Sequence, residues 1–256
     1  MNLYKNGTDS ILEEEIELFK SNGKFNKPKP KYQPPKKAQS KTQPEKFDIK
    51  LNEEQKAAKK LILENDVIIL TGKSGSGKTL LACQAALDAF FRNDIEKIYI
   101  TRPTVSKEEL GFLPGDMKDK MDPWLRPVYE NLDAVYGRDR SRKKVISDLL
   151  STDQIEISPI AYMRGRTKTN SYIIVDECQN ITKEQMTMIL TRLGKGSKLI
   201  FCGDSNQVDL KRISDSGLNY LINKGMGIKG FCCIELKQNH RHSIVDEFIE
   251  RFNQID

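Results

Sequence analysis

Hydrophobic positions along the chain fall into short runs separated by stretches of helical period or by polar loops. The runs at Ile68–Leu70, Lys97–Thr101, Gln154–Ser158, Tyr172–Val175, Lys198–Cys202 and Phe231–Leu236 are short and rich in β-branched residues, as buried strands are. A helix is predicted from Leu51-Asn52-Glu53-Glu54-Gln55, with Asn52 as its cap, to about Glu64. Strand, helix and strand in repetition predict an α/β domain with a mostly parallel sheet and helices on both faces. Ligands of such sheets gather beyond the carboxyl ends of the strands, so the residues that follow each run are the candidates for a site. Upstream, Asp9 to Phe19 sets Ile11, Leu12, Ile16, Leu18 and Phe19 among four glutamates. This predicts a short acidic helix, either docked or serving as a partner-binding motif.

Composition divides the chain in two. Hydrophobic residues at 38% suffice for a core, and 30% charged residues predict a soluble surface. The net charge of +6 is concentrated in Lys20 to Lys46, where nine lysines stand against Glu45, leaving the rest of the chain near −2. That segment also holds five of the ten prolines and has little to bury, so a disordered, partly polyproline-II linker is expected. Residues 1–46 are thus expected to be an appendage and 47–256 the globular domain. The Lys-rich segment is read either as a solvated linker or as an electrostatic attractant for nucleic acid. No apolar run is long enough to span a bilayer, and the N-terminus lacks a secretory or transit pattern, so no membrane association and a cytoplasmic site are expected. The five cysteines form no C-x-x-C pair and are expected to be buried, reduced thiols, with Cys232 and Cys233 pointing to opposite faces of a strand.

The chemistry centres on Ile68 to Leu81, a strand that runs directly into a glycine-rich loop and a helix. Gly72-Lys73-Ser74-Gly75-Ser76-Gly77-Lys78-Thr79 has P-loop spacing. In such loops backbone N–H groups and the helix N-terminus cradle phosphates, the lysine (Lys78) reaches the β and γ groups, and the threonine (Thr79) holds Mg²⁺. A nucleotide and Mg²⁺ are the expected ligands of this loop. Asp176-Glu177 follows the next buried strand but two, with Asp176 placed to orient Mg²⁺ and Glu177 to polarise an attacking water. After Lys198–Cys202 comes Gly203-Asp204-Ser205-Asn206-Gln207, where Gln207 is placed to sense the γ-phosphate; a strand-end turn would use similar residues. Gln55 stands just upstream of the P-loop strand, where helicase-like ATPases place an adenine-reading glutamine; a surface glutamine is the competing reading. Arg102, Arg164 and Arg166 also follow strands, and are read as phosphate-gripping groups for nucleotide or nucleic acid, against the alternative of surface ion pairs. Trp124 is expected to start a helix and cover the core rather than to stack on a base, and His240 and His242 to be local hydrogen-bonding groups.

Taken together, T-G-K-S-G-S-G-K-T, T-R-P, E-L-G-F-L-P-G-D-M-K-D-K-M-D-P-W, A-Y-M-R-G-R-T, I-I-V-D-E-C-Q-N, F-C-G-D-S-N-Q and the C-terminal H-R-H make the chain resemble the PhoH family of P-loop ATPases, relatives of the first lobe of superfamily-one helicases. The resemblance covers about Leu51 to Ile249. It departs from the family pattern at Lys73-Ser74, where proline and alanine are common, and at Cys178, where alanine is usual. The resemblance implies ATP binding and hydrolysis on a RecA-like core, with action on RNA or single-stranded nucleic acid, and a homo-oligomer, a hexameric ring. A rival reading is an ATP-driven switch acting on a protein partner. A GTPase is disfavoured because no N-K-x-D motif appears, the nearest sequence being Asn223-Lys224-Gly225-Met226. A self-sufficient helicase is disfavoured as well, since the stretch after Gln207 is far shorter than the roughly 150 residues of a second lobe. Arg241 is then expected to serve the γ-phosphate of a neighbouring subunit, with a role in cis or as the cap of a helix starting near Ser243 as alternatives.

Overall fold

A computed structural model describes residues 50–103, 117–135, 140–210, 212–240 and 243–252. The first described element, α1 (Glu53–Glu64), starts where the sequence places it. The Asn52 side chain accepts a hydrogen bond from the Gln55 backbone N–H, and the Gln55 side chain accepts one from the Asn52 N–H, a reciprocal capping box. Gln55, Ala58 and Ile62, spaced by three and four residues, form its buried stripe. Then follow β1 (Val67–Thr71), α2 (Lys78–Phe91), β2 (Lys97–Arg102), α3 (Met117–Val135), α4 (Arg140–Ser151) and β3 (Ile155–Pro159). A 3₁₀ turn at Ile160–Met163 leads to β4 (Ser171–Val175), and a second at Cys178–Asn180 leads to α5 (Lys183–Leu190). The chain continues through β5 (Lys198–Gly203), a third 3₁₀ turn at Ile213–Asp215, α6 (Gly217–Gly225), β6 (Phe231–Glu235) and α7 (Ser243–Phe252).

The six strands form one sheet in the order β3-β2-β4-β5-β1-β6, and every pairing is parallel, so the sheet is wholly parallel rather than mostly so. Successive side chains on each strand point to opposite faces, which sorts the apolar residues into two layers. Ile68, Leu70, Ile98, Ile100, Ile174, Ile200 and Cys202 pack with α1, α2, α3 and α4 on one face. Ile69, Ile173, Val175, Leu199 and Phe201 pack with α5, α6 and the Ile160–Met163 turn on the other. This α/β architecture is RecA-like. Burial on both faces explains why the strands read as apolar runs with little alternation. Cys232 joins the first layer and Cys233 the second, as their adjacency on a strand requires.

One expectation shifts. The helix containing Trp124 begins at Met117, so Pro123-Trp124 lies inside α3 instead of opening it. The acidic segment Asp9–Phe19, the Lys-rich linker and Gly111–Gly115 lie outside the described residues. Because all strands run in one direction, the registers that pair Thr71 with Gly203 and Glu235, and Thr101 with Val175, align their carboxyl ends along one edge.

Candidate nucleotide-binding site

That edge carries a cavity of about 380 Å³ whose wall includes Gln55, Gly75, Lys78, Thr79, Asp176, Glu177 and Gln207. The P-loop forms its floor. Gly72, Gly75 and Gly77 all have positive φ, at 138°, 91° and 84°, so the loop curls in a conformation that residues with a Cβ seldom adopt. At Gly72 a Cβ would also fall 2.3 Å from the Leu236 carbonyl oxygen, the first residue beyond β6, which fixes how closely the loop and β6 approach. The loop ends in α2, whose first residues are Lys78 and Thr79. The Lys78 ammonium donates to the carbonyls of Gly72 at 2.6 Å and Lys73 at 3.0 Å, folding back across the loop it serves.

The acidic pair sits opposite. Asp176 follows β4, and its backbone N–H donates to the Thr101 carbonyl at the end of β2. Its side chain, 6% exposed, accepts a 2.6 Å hydrogen bond from the Thr79 hydroxyl, which ties the second helical residue after the P-loop to the neighbouring strand end. Burial pushes the Asp176 carboxyl above the ordinary carboxylate range; the Thr79 hydroxyl opposes this, the adjacent Glu177 adds to it and Arg102 works against it. Glu177 occupies the left-handed region, with φ of 49°, a rarely populated backbone state for a residue with a side chain. Its carboxylate accepts from Gln179 Nε2 at 2.7 Å and pairs with Arg102 Nη2 at 3.5 Å.

Gln179 joins this acidic pair to its neighbours, a placement that reading the sequence missed. It is 1% exposed; its amide nitrogen donates to Glu177 and its amide oxygen accepts from the Asp204 backbone N–H at 3.2 Å. One buried side chain thereby joins the end of β4 to the loop after β5. Within that loop Asp204 accepts from the N–H groups of Asn206 and Gln207, which shapes the turn that exposes Gln207 at the cavity wall. The signal was the position of Gln179 three residues after Asp176, within the acidic motif itself. Lys50 and Asn131 also line the cavity and carried no local signal.

Gln55 is buried at 5% exposure, engaged with Asn52 and His240 rather than lying on the surface, and borders the cavity. Ser74 and Gly77 line the cavity too, and Ser76, in the same loop, is buried. Lys73 is exposed. Arg102 turns to Glu177, whereas Arg164 and Arg166, on the segment after the Ile160–Met163 turn, are exposed and are not brought into the cavity. Trp124 has no described side chain, and Arg241 and His242 lie outside the described residues. The thiols of Cys83, Cys178 and Cys202 are fully buried, and burial raises all three well above the usual range, which leaves them inert.

A glycine-rich loop between a buried strand and a helix, a hydroxyl and a buried aspartate bonded across the sheet edge, and a wholly parallel sheet together define a P-loop NTPase of RecA-like fold. The family model of PhoH-like proteins matches residues 49–253, and the chain belongs to that family. It is 46% identical over 193 residues to a PhoH-like protein of Bacillus subtilis (strain 168), covering 74% of this chain and 59% of that protein. It is 43% identical over 198 residues to a PhoH-like protein of Synechocystis sp. (strain ATCC 27184 / PCC 6803 / Kazusa), covering 76% and 59%. The chain therefore spans about three-fifths of the length of these curated relatives. Among solved structures, the UvsW helicase from bacteriophage T4 aligns with a TM-score of 0.45 at 14% identity, over 77% of this chain and 64% of that one. Among the described residues no helix is long and apolar enough to cross a membrane.

Proposed function

We propose that this chain binds ATP with Mg²⁺ and hydrolyses it, and that turnover is coupled to RNA or single-stranded nucleic acid. The observation that carries the nucleotide reading is the 2.6 Å hydrogen bond between Thr79 Oγ1 and Asp176 Oδ1, set directly beside the P-loop. Two hard oxygens are thereby held together at the point where a phosphate-bound Mg²⁺ would sit. Mg²⁺ keeps several waters and is commonly bound through one or two carboxylates plus substrate phosphates, so this sparse donor set suits it. Among the described residues no cluster of three His, Cys, Asp or Glu offers a self-contained cage. When bound, Mg²⁺ supplies charge neutralisation at the phosphates. The chain's own residues do the rest. Backbone N–H groups of the P-loop bind phosphate oxygens, and Lys78 exchanges its two carbonyl partners for the β and γ groups. Glu177, aimed by Gln179 and Arg102, accepts a hydrogen bond from the attacking water and orients it in line with the γ-phosphorus. Gln207, at the cavity wall, reports the loss of that phosphate to the loop after β5.

The exposed Arg164 and Arg166 support the nucleic-acid half of the proposal, as cations within reach of backbone phosphates in solution. A second reading, an ATP-driven switch acting on a protein partner, draws on an apolar groove of about 370 Å³ bordered by Met186, Leu190, Tyr220 and Ile228. Steady-state ATPase measurement with and without single-stranded RNA separates the two. Stimulation by RNA, together with binding that weakens as salt rises, supports coupling to nucleic acid. Turnover indifferent to RNA, with no salt-sensitive binding, overturns it. Arg241, between His240 and α7, is proposed to serve the γ-phosphate of a neighbouring subunit in a homo-oligomeric ring, a hexamer.

A further inference from the structure

The cavity wall at Gln55 and His240 contains an arrangement that the phosphate chemistry does not use. Asn52 and Gln55 hold each other through the capping box, and this commits both side-chain oxygens: Asn52 Oδ1 accepts from the Gln55 N–H at 2.7 Å, and Gln55 Oε1 accepts from the Asn52 N–H at 3.2 Å. Each amide therefore has a fixed orientation, with its NH₂ group turned the other way. Both NH₂ groups reach the same atom, and that of Asn52 also donates to Gln238 Oε1 at 2.8 Å. His240 Nε2 lies 3.2 Å from Gln55 Nε2 and 3.3 Å from Asn52 Nδ2. An amide nitrogen donates and has no lone pair to offer, so His240 Nε2 must be the acceptor and the ring proton must sit on Nδ1.

The histidine is itself held from both sides. Its backbone N–H donates to the Gly75 carbonyl in the P-loop at 3.1 Å. The two residues after Leu236 are fastened to α1, since the Glu54 carboxylate accepts from the N–H groups of Lys237 and Gln238 at 2.8 and 3.1 Å. The Gln55 amide rests directly on the loop, because a Cβ at Gly77 would fall 2.9 Å from Gln55 Nε2. Gln55, 5% exposed, thus reaches the cavity as an immobilised amide.

After these commitments Gln55 retains one lone pair on Oε1 and one hydrogen on Nε2. An acceptor beside a donor matches the amino group and N7 of a 6-aminopurine, whereas guanine presents two acceptors, O6 and N7, on that edge. Resting on the nucleotide reading given above, we propose that His240 is a specificity-determining positioning residue: it locks the Gln55 amide so that its free edge selects adenine nucleotides over guanine nucleotides. The locked amide enters the complex with its orientation already set, which removes an ordering cost from binding the right base and the freedom to adapt to the wrong one.

The test uses the full chain and compares Kd for ATP, GTP and inorganic tripolyphosphate, each with Mg²⁺, in the wild type, His240→Leu and His240→Gln. The His240 side chain is exposed, so its replacement removes little packing. Leucine has no acceptor; the glutamine amide oxygen reaches the position of Nε2 and supplies one. His240→Leu is expected to lose most of a preference for ATP over GTP that is roughly 5- to 150-fold, the range one bidentate base contact provides. Tripolyphosphate affinity should stay unchanged, and His240→Gln should restore much of the preference. An unchanged ATP/GTP ratio in His240→Leu overturns the proposal. Equal losses of ATP and tripolyphosphate affinity overturn it too, by assigning His240 to loop support through Gly75. A wild type that binds all three ligands equally refutes base reading alone, whereas one that binds none refutes the nucleotide site beneath it.

Discussion

Replacing Gln179 by leucine removes two hydrogen bonds at nearly constant volume, and the two ends of the side chain fail in different ways. At the oxygen end the Asp204 N–H, buried between β5 and the Cys178–Asn180 turn, loses its acceptor. An unsatisfied buried donor of this kind costs about 1–3 kcal/mol. A protein of this size loses about 2–4 °C of Tm per kcal/mol, so the transition should fall by several degrees while remaining cooperative. At the nitrogen end Glu177 is freed from the 2.7 Å bond that aims its carboxylate, leaving the longer 3.5 Å contact to Arg102 to orient it. The Glu177 side chain is 40% exposed, so solvent compensates it and stability hardly registers the loss. Catalysis should register it, because misplacing a catalytic group by about 1 Å costs on the order of 10²-fold. Phosphate-release assays are therefore expected to give kcat lowered about 10²-fold with KM for ATP within a few-fold of the wild type, since neither the P-loop nor Thr79 is touched. If kcat is unaltered while Tm falls, Gln179 is a structural bridge and does not position Glu177. If KM rises with kcat preserved, the site has been assigned to the wrong step.

Two further outcomes follow from the site. Burial raises the Asp176 carboxyl above its ordinary 3.8, which means that the folded protein binds this proton more tightly than the unfolded chain and is penalised once the group is ionised. Asp176→Asn should therefore raise the metal-free Tm at neutral pH, by about 2–4 °C per kcal/mol relieved, with the gain shrinking as pH falls through the raised titration; turnover should vanish, and a Tm lowered equally at every pH would contradict the reading. If Arg241 acts in trans, mixing inactive Lys78→Ala with inactive Arg241→Ala should restore part of the turnover, through interfaces that join an intact P-loop to an intact arginine, and no recovery after verified subunit exchange would rule that role out.

The parts of this molecule legible in the sequence are those whose causes are local or periodic. Tyr172–Val175 and Lys198–Cys202 could be read as strands because burial on both faces makes them continuously apolar, and the P-loop could be read because its glycines fall within a motif only eight residues long. The capping box was half legible: Asn52 gave itself away as a cap, but the reciprocal bond from Gln55 gives that residue a structural use that its position alone did not disclose. What stayed hidden depends on which strands lie side by side. Arg102 meets Glu177 because β2 pairs with β4, and Gln179 meets Asp204 because β4 pairs with β5. Gln55 and His240 stand 185 residues apart and come together only because β6 lies beside β1. The placement of Trp124 inside α3 was hidden for another reason, since proline is favoured in a helix's first turn and Pro123 stands directly before it.

The most direct test of the central claim sets Glu177→Gln beside Lys78→Ala in paired measurements of ATP binding and Mg²⁺-dependent phosphate release. The amide in place of the Glu177 carboxylate keeps its shape and can no longer serve as the base that orients water, while alanine at 78 removes a phosphate contact. Glu177→Gln is expected to bind ATP about as well as the wild type and to turn it over slower by orders of magnitude, and Lys78→Ala to be weakened already in binding, as the assigned roles require. Near-normal phosphate release by Glu177→Gln would contradict them.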